Sequence, residues 1–325
     1  MKKVLFICMV IVMMSLCACS EPGSQGETDG LAYYLLPDGT YGVVAGTTLY
    51  LNEIQIPASY KGKTVTQILP KAFQNAVNLM SVSIPDSVTS VGESAFYGCS
   101  SLTNLIIPDS VTSIGDSAFY GCSSLTSVTI PNRVTTIGDS AFSDCSGLTI
   151  VTIPDSITTI GISVFGGCSS LTNVTIPDSI TTIGESAFSY CTSLTSVSIP
   201  DSVTTIGEYA FSCCNSLTSV IIPDSITTIN SYVFYGCSSL TSVTIPDSVI
   251  SIAPSAFAEC ISLSGATIPD SVTTIFQYAF SNCRNLTEIH FKGTKAQWHA
   301  IVIYPLWDEC AGNYTIYCTD GEIKK

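Results

Sequence analysis

Ile107 to Thr129 reads IPDSVTSIGDSAFYGCSSLTSVT, and the stretch decides the fold because the chain repeats it with a fixed period. Pro85, Pro108, Pro131, Pro154, Pro177, Pro200, Pro223, Pro246 and Pro269 lie 23 residues apart, with no insertion. The same step carries Phe73 through to Phe280 and Leu79 through to Leu286. Nine full units therefore run from Pro85 to Phe291, and a divergent one precedes them. A unit this short cannot close a core alone, so neighbouring coils must stack and share one interior.

Within the unit, Leu125, Val128 and Ile130 fit a short strand with its apolar positions inward, and Pro131 ends it. Stacked strands lie ~4.8 Å apart, so ten coils predict a parallel sheet roughly 45 to 50 Å long. Ala118, Phe119 and Cys122 fall at near-helical spacing, which predicts one turn of helix or 3₁₀ over Asp116 to Cys122, facing the sheet. Gly92, Gly115, Gly138, Gly161, Gly184 and Gly207 share one position. A left-handed backbone is expected there, with Asn230 as the best substitute; Ala253 and Phe276 break the rule and predict local distortion in the last two coils.

The pattern I-P-x-S-V-x-x-I-G-x-x-A-F-x-x-C-x-x-L resembles the BspA-like leucine-rich repeats of bacterial and some protozoan surface proteins. The resemblance covers roughly Leu31 to Ile323. It implies an α/β repeat solenoid: a leucine-rich repeat array with a parallel sheet on one face, short helical or 3₁₀ turns on the other, and a cap at each end. Tyr33 to Val44, around Pro37-Asp38-Gly39-Thr40, is similar to the opening hairpin of such arrays, and Ile56 to Ile68 to their atypical first coil. Gly293-Thr294, Gln297-Trp298, Trp307 and Cys318-Thr319-Asp320-Gly321 are similar to the closing cap. Caps are expected physically, since an open solenoid end exposes a sheet edge and an apolar cross-section.

The beginning of the chain reads as an address. Lys2 and Lys3 precede an apolar run from Val4 to Met14, the length of a signal-peptide core and too short to span a bilayer. Leu16-Cys17-Ala18-Cys19 resembles the lipobox of bacterial lipoproteins, which implies cleavage before Cys19 and lipidation of that residue. The expected organisation is a signal peptide over 1–18, a lipidated tether over 19–30, an N-terminal hairpin cap over 31–61, the solenoid over 62–291 and a C-terminal cap over 292–325. An extracytoplasmic protein, held to a bacterial membrane by lipid alone at the cell surface, follows.

Composition narrows the chemistry. Of 325 residues, 11% are charged and 46% hydrophobic, which excludes disorder. Between Ala72 and Cys283 there are fifteen acids and one base, Arg133, so no nucleic-acid partner is expected. Nine of the fifteen cysteines, Cys99 through Cys283, hold one repeat position. A column one strand spacing apart suits packed thiols better than disulfides or metal ligands. Cys213 stands beside the column, and Cys310 and Cys318 in the cap are near enough in sequence to pair or to remain free. The only histidines, His290 and His299, lie at the C-terminal end, and no phosphate-binding loop occurs, so neither an enzyme nor a cofactor is expected. Eight aspartates follow the repeat prolines, from Asp86 to Asp270, with Asn132 completing the column; turn chemistry explains them more simply than a calcium ladder does.

Two surfaces remain for recognition. The outward strand column carries Ile106, Thr129, Thr152, Thr175 and Ile221 in a hydroxylated, weakly charged ribbon, where strand propensity competes with binding as the explanation. On the turn side, Tyr209, Tyr232 and Tyr278 replace the usual serine two residues before the phenylalanine, and Tyr97, Tyr120 and Tyr235 follow it. Tyrosine suits interfaces because it presents area at low entropy cost. The function expected is a monomeric binder of an extracellular or cell-surface protein, or of a glycan. The family resemblance implies adhesion to host or neighbouring cells. A structural spacer without a ligand is the alternative; an ice- or crystal-matching hydroxyl array is disfavoured because solenoid curvature spoils a flat lattice.

Overall fold

A computed structural model describes residues 30–47 and 50–325. The signal peptide, the lipobox and Cys19 lie outside the described residues.

The array is a β-solenoid in which each 23-residue coil contributes to three stacked ladders. In the first, Ser127–Thr129, Ile150–Thr152 and Asn173–Thr175 pair in parallel, with Ser127 beside Ile150 beside Asn173. Val128, Val151 and Val174 point inward and are buried, while their neighbours on both sides are exposed. The second ladder was not expected from the sequence. Two-residue strands such as Thr159–Ile160, Thr182–Ile183 and Thr205–Ile206 pair in parallel and bury their isoleucines.

A third ladder stands where a turn of helix or 3₁₀ was expected; the α-helix is absent, while the i to i−3 closure of a 3₁₀ turn is kept within each coil. Over Ser94 to Cys99 the amides alternate: those of Ser94, Phe96 and Gly98 donate to Asp116, Ala118 and Tyr120 of the next coil, while those of Ala95, Tyr97 and Cys99 close turns within their own coil. With half the amides directed between coils, no i to i−4 ladder can form. Two left-handed residues per coil complete the break, such as Ser117 at φ 53° and Gly121 at φ 68°.

The glycine expectation is also corrected. Gly92, Gly115, Gly138, Gly161, Gly184 and Gly207 are not left-handed; they are glycine because the preceding coil lies against them. A Cβ on Gly115 would meet the Glu93 nitrogen at 2.6 Å, and one on Gly138 the Asp116 nitrogen at 2.3 Å. Left-handed geometry belongs instead to the serine two positions later, from Ser94 to Ser255, and to Tyr209, Tyr232 and Tyr278 in the same column. Nor do Ala253 and Phe276 interrupt the ladder, since their amides donate to Ile229 and Ile252 at 2.9 Å as the glycines do in other coils.

The core is built of columns. Ten phenylalanines from Phe73 to Phe280 stack with centroids 5.1 to 5.8 Å apart and planes within 18°. Beside them run the nine column cysteines, fully buried and unpaired. Each thiol donates to the carbonyl of the phenylalanine 26 residues earlier, as Cys168 does to Phe142 at 3.3 Å. The cysteines are therefore donors as well as packing groups. Serine and threonine have comparable duties: the hydroxyls of Ser110, Ser156, Ser179, Ser202 and Ser248 reach back to carbonyls of the preceding coil at 2.6 to 2.7 Å.

Both ends are closed. Ala32–Leu35 and Tyr41–Val44 form an antiparallel hairpin whose second strand pairs in parallel with Lys63–Ile68, and the Tyr33 ring stacks on Tyr60 at 4.0 Å. At the other end Glu288–Phe291 pairs with Thr315–Cys318, which turns back through Gly321–Lys324. The helix Lys295–Ala300 begins with a Thr294/Gln297 capping box, and Trp307 sets its edge against Phe280, ending the ring stack. Cys310 and Cys318 are separate thiols.

Candidate functional site

Because each coil repeats its neighbour, a site arises where a solvent-facing position departs from the repeat. On the turn side the main departures converge. Tyr209 and Tyr232 occupy the first left-handed column in adjacent coils, at φ 58° and 57°, and both are half-buried. The rings stack at 4.6 Å with planes 7° apart, and Tyr235 sets its edge against Tyr232 at 5.8 Å and 61°. Tyr190, in the second left-handed column at φ 58°, closes the group and stays 60% exposed. With Ser186, Ser189 and Ser212 these tyrosines line a hollow of about 210 Å³.

The second column explains the opening. After Tyr190 it continues as Cys213 and then Gly236, at φ 69°, so a small residue follows the ring instead of another bulky one. The electrostatics are acidic. Glu185 and Glu208 immediately precede the lining residues Ser186 and Tyr209, and Glu259 stands one coil beyond Gly236 in the second column. Partial burial, then the Tyr232 ring, then the carboxylates of Glu208 and Glu185 push the Tyr209 phenol above its ordinary value. Burial first and Glu259 next do the same to Tyr235, and the Cys213 thiol beside Tyr190 raises that phenol.

The expectation of a strip through Tyr209, Tyr232 and Tyr278 holds for the first two only. The buried Ser255 separates Tyr278 from Tyr232, and no ring contact joins Tyr278 to the pair among the described residues. Tyr190 was not singled out from the sequence. Its signal was there: it replaces glycine, aspartate, asparagine, glutamate or cysteine in a column that otherwise carries no ring. A second stacked pair, Tyr97 and Tyr120 at 4.8 Å, lies five coils back, where a hydrogen bond to Asp144 pushes the Tyr120 phenol up to about 12.

On the strand face Thr129, Thr152 and Thr175 are direct neighbours, exposed as expected. Thr175 and Ile221 share an open groove of about 560 Å³ with Ser196, Ser198, Asp178 and Asp201. Ile221 is 68% exposed. Ile106 is 74% exposed and lies five coils away, roughly 24 Å, outside that groove. No group of three or more histidine, cysteine or acidic side chains among the described residues is placed to hold a metal ion. His290 stacks on Tyr317 at the cap, and the column thiols lie inside the core. Among the described residues no helix is long and apolar enough to cross a membrane.

The period, the columns and the two closed ends define a leucine-rich repeat solenoid. The model of the BspA type leucine rich repeat region matches residues 66–195 and 181–300, with six copies, and the chain belongs to that family. Among solved structures it is similar to a leucine rich cell surface protein from Faecalibacterium prausnitzii, at 31% identity over 87% of this chain and 98% of that one, with a TM-score of 0.47. A leucine-rich repeat protein from Bacteroides ovatus matches at 25% identity over 90% of this chain and 100% of that one, TM-score 0.48. One from Eubacterium ventriosum shares the fold at 22% identity over 91% and 98% of the two chains, TM-score 0.52. No curated protein matches the chain.

Proposed function

We propose that this protein is a non-enzymatic, extracytoplasmic binding scaffold, anchored through a lipid on Cys19 and adhering to a protein on a host or neighbouring cell. The observation that carries the binding role is the convergence of Tyr190, Tyr209, Tyr232 and Tyr235 on one hollow of an otherwise repetitive surface. A fold-only or spacer role requires none of them, because Ser186 holds the same left-handed position in the neighbouring coil as Tyr209. Central aromatic anchors typically contribute 1 to 2 kcal/mol or more to an interface. The kinship with a protein described as cell-surface supports the location.

The test is capture of partners from cell-surface or matrix extracts by the full chain. Tyr209→Ser with Tyr232→Ser restores the repeat residue at both positions, so the fold is kept while binding should fall at least about tenfold. Thr152→Lys with Thr175→Lys tests the strand groove, the second reading, which rests on the exposed Ile221. Loss with the lysine pair alone moves the site to the strand face, and no capture by any form favours the spacer. Anchoring is tested separately: Cys19→Ser should abolish labelling by a clickable fatty acid, and unchanged labelling would remove the lipid claim.

A further inference from the structure

We propose that the tyrosine hollow binds an organic cation, the ammonium or guanidinium head of a ligand entering among Tyr190, Tyr209, Tyr232 and Tyr235. The inference rests on the binding reading above for the importance of this hollow, and adds the chemistry of what enters it. Three observations converge. Tyr209 and Tyr232 cover each other's inner faces at 4.6 Å with Tyr235 at 61° to Tyr232, so the outer face of Tyr209, on the side where its column carries the small Ser186, is the one left for a ligand, and Tyr190 lines the same hollow. Aromatic faces carry negative quadrupolar charge, and grouped faces are a known way of holding ammonium groups. The rim is acidic, with Glu185 and Glu208 adjoining lining residues and Glu259 one coil on. Finally, between Ala72 and Cys283 the only base is Arg133, two units before Ser186 and not among the lining residues, so the lining supplies no cation of its own.

A neutral sugar is the competing ligand, since serines 186, 189 and 212 also line the hollow. The hydroxyls alone do not favour it, because Ser212 is buried and serine is the commonest residue of the repeat's turn side. Charge decides between them: a sugar's hydroxyls could donate to the carboxylates but gain nothing from their net charge, whereas a cation is attracted by all three, more at low salt.

The probe is tetramethylammonium, titrated into the full chain carrying isotope-labelled tyrosine and followed through the ring resonances. Neutral tert-butanol, of similar size, and glucose serve as controls. Saturable shifts confined to Tyr190, Tyr209, Tyr232 and Tyr235 are expected, with binding at least about tenfold weaker for tert-butanol and glucose. Tyr209→Ser with Tyr232→Ser should remove the response, and Glu185→Gln with Glu208→Gln should weaken it about threefold at low salt. Arms with N-acetyl-lysine amide and with tetramethylammonium distinguish a partner's side chain from a free quaternary amine. Equal or tighter binding of tert-butanol or glucose overturns the proposal, as does a tetramethylammonium response that survives the tyrosine changes. If partner capture depends on the tyrosines while tetramethylammonium does not bind, the cation inference fails and the binding reading stands. If the reverse holds, the hollow is a small-ligand site and the partner binds elsewhere.

Discussion

Raising the pH should unfold this protein abruptly between about pH 9 and 11, and the thiol column sets the magnitude. A thiol in the unfolded chain ionises around 9.0; in the fold, burial pushes Cys99, Cys145, Cys191 and Cys283 up to about 12, and Cys122, Cys168, Cys214, Cys237 and Cys260 well above the ordinary value. Above pH 9 the unfolded chain therefore binds fewer protons than the native one, and stability falls with pH; below pH 9 the contribution is full. Each thiol removes ~1.4 kcal/mol per pH unit in that window, so nine acting together remove roughly 12. Total stabilities run to about 5–15 kcal/mol, so one unit or slightly more above pH 9 ends the fold. Thiolate absorbance and circular dichroism should change together in one steep step, without oxidant present. The triple variant Cys145→Ala, Cys168→Ala, Cys191→Ala should lose about 1 kcal/mol per site at neutral pH while its alkaline slope drops by about a third. The carbonyls of Phe119, Phe142 and Phe165 keep their backbone donors in that variant, so no acceptor is orphaned. A gradual thiolate signal from pH 9 with circular dichroism intact would refute the reasoning.

A thiol reagent at pH 8 should label Cys310 first and Cys318 and Cys213 more slowly, then nine further thiols on denaturation without reductant; disulfide-linked neighbours of the column in mass spectra would contradict the packing. Gly138→Ala should cost more than about 2 kcal/mol, since its Cβ would meet backbone at 2.3 and 2.5 Å, whereas Ser163→Gly, at φ 52°, should hold or raise stability. Thermal melts of the two variants that fall equally would restore the left-handed reading of the glycine column.

The sequence made the stacking legible because a strict 23-residue step forces equivalent residues into columns, so the phenylalanine and cysteine ladders and the outward threonines could be named by number. Backbone conformation was less legible. Ala118, Phe119 and Cys122 all face the core, as helical spacing suggested, yet they reach it from alternating turns, and inward spacing alone does not distinguish the two. Gly115 was assigned the wrong reason: left-handed geometry and close approach select the same residue, and only the neighbouring coil, absent from a one-dimensional reading, tells them apart. The two-residue strand Ser113–Ile114 is too short for alternation to appear. At the candidate site, Tyr209 and Tyr232 stood out as replacements of serine, while Tyr190 escaped because its column tolerates many residue types.

The in-register pairing of Ser127 with Ile150 and of Ile150 with Asn173 makes every junction between coils interchangeable. Whole units can be gained or lost between the two caps, and the new neighbours meet as the old ones did, whereas a single inserted residue would throw three ladders and the ring stack out of step. The molecule is thus a ruler graduated in steps of ~4.8 Å. Its reach can be reset without redesigning either end, and the tyrosine hollow can be carried to a different height with its own coils unchanged.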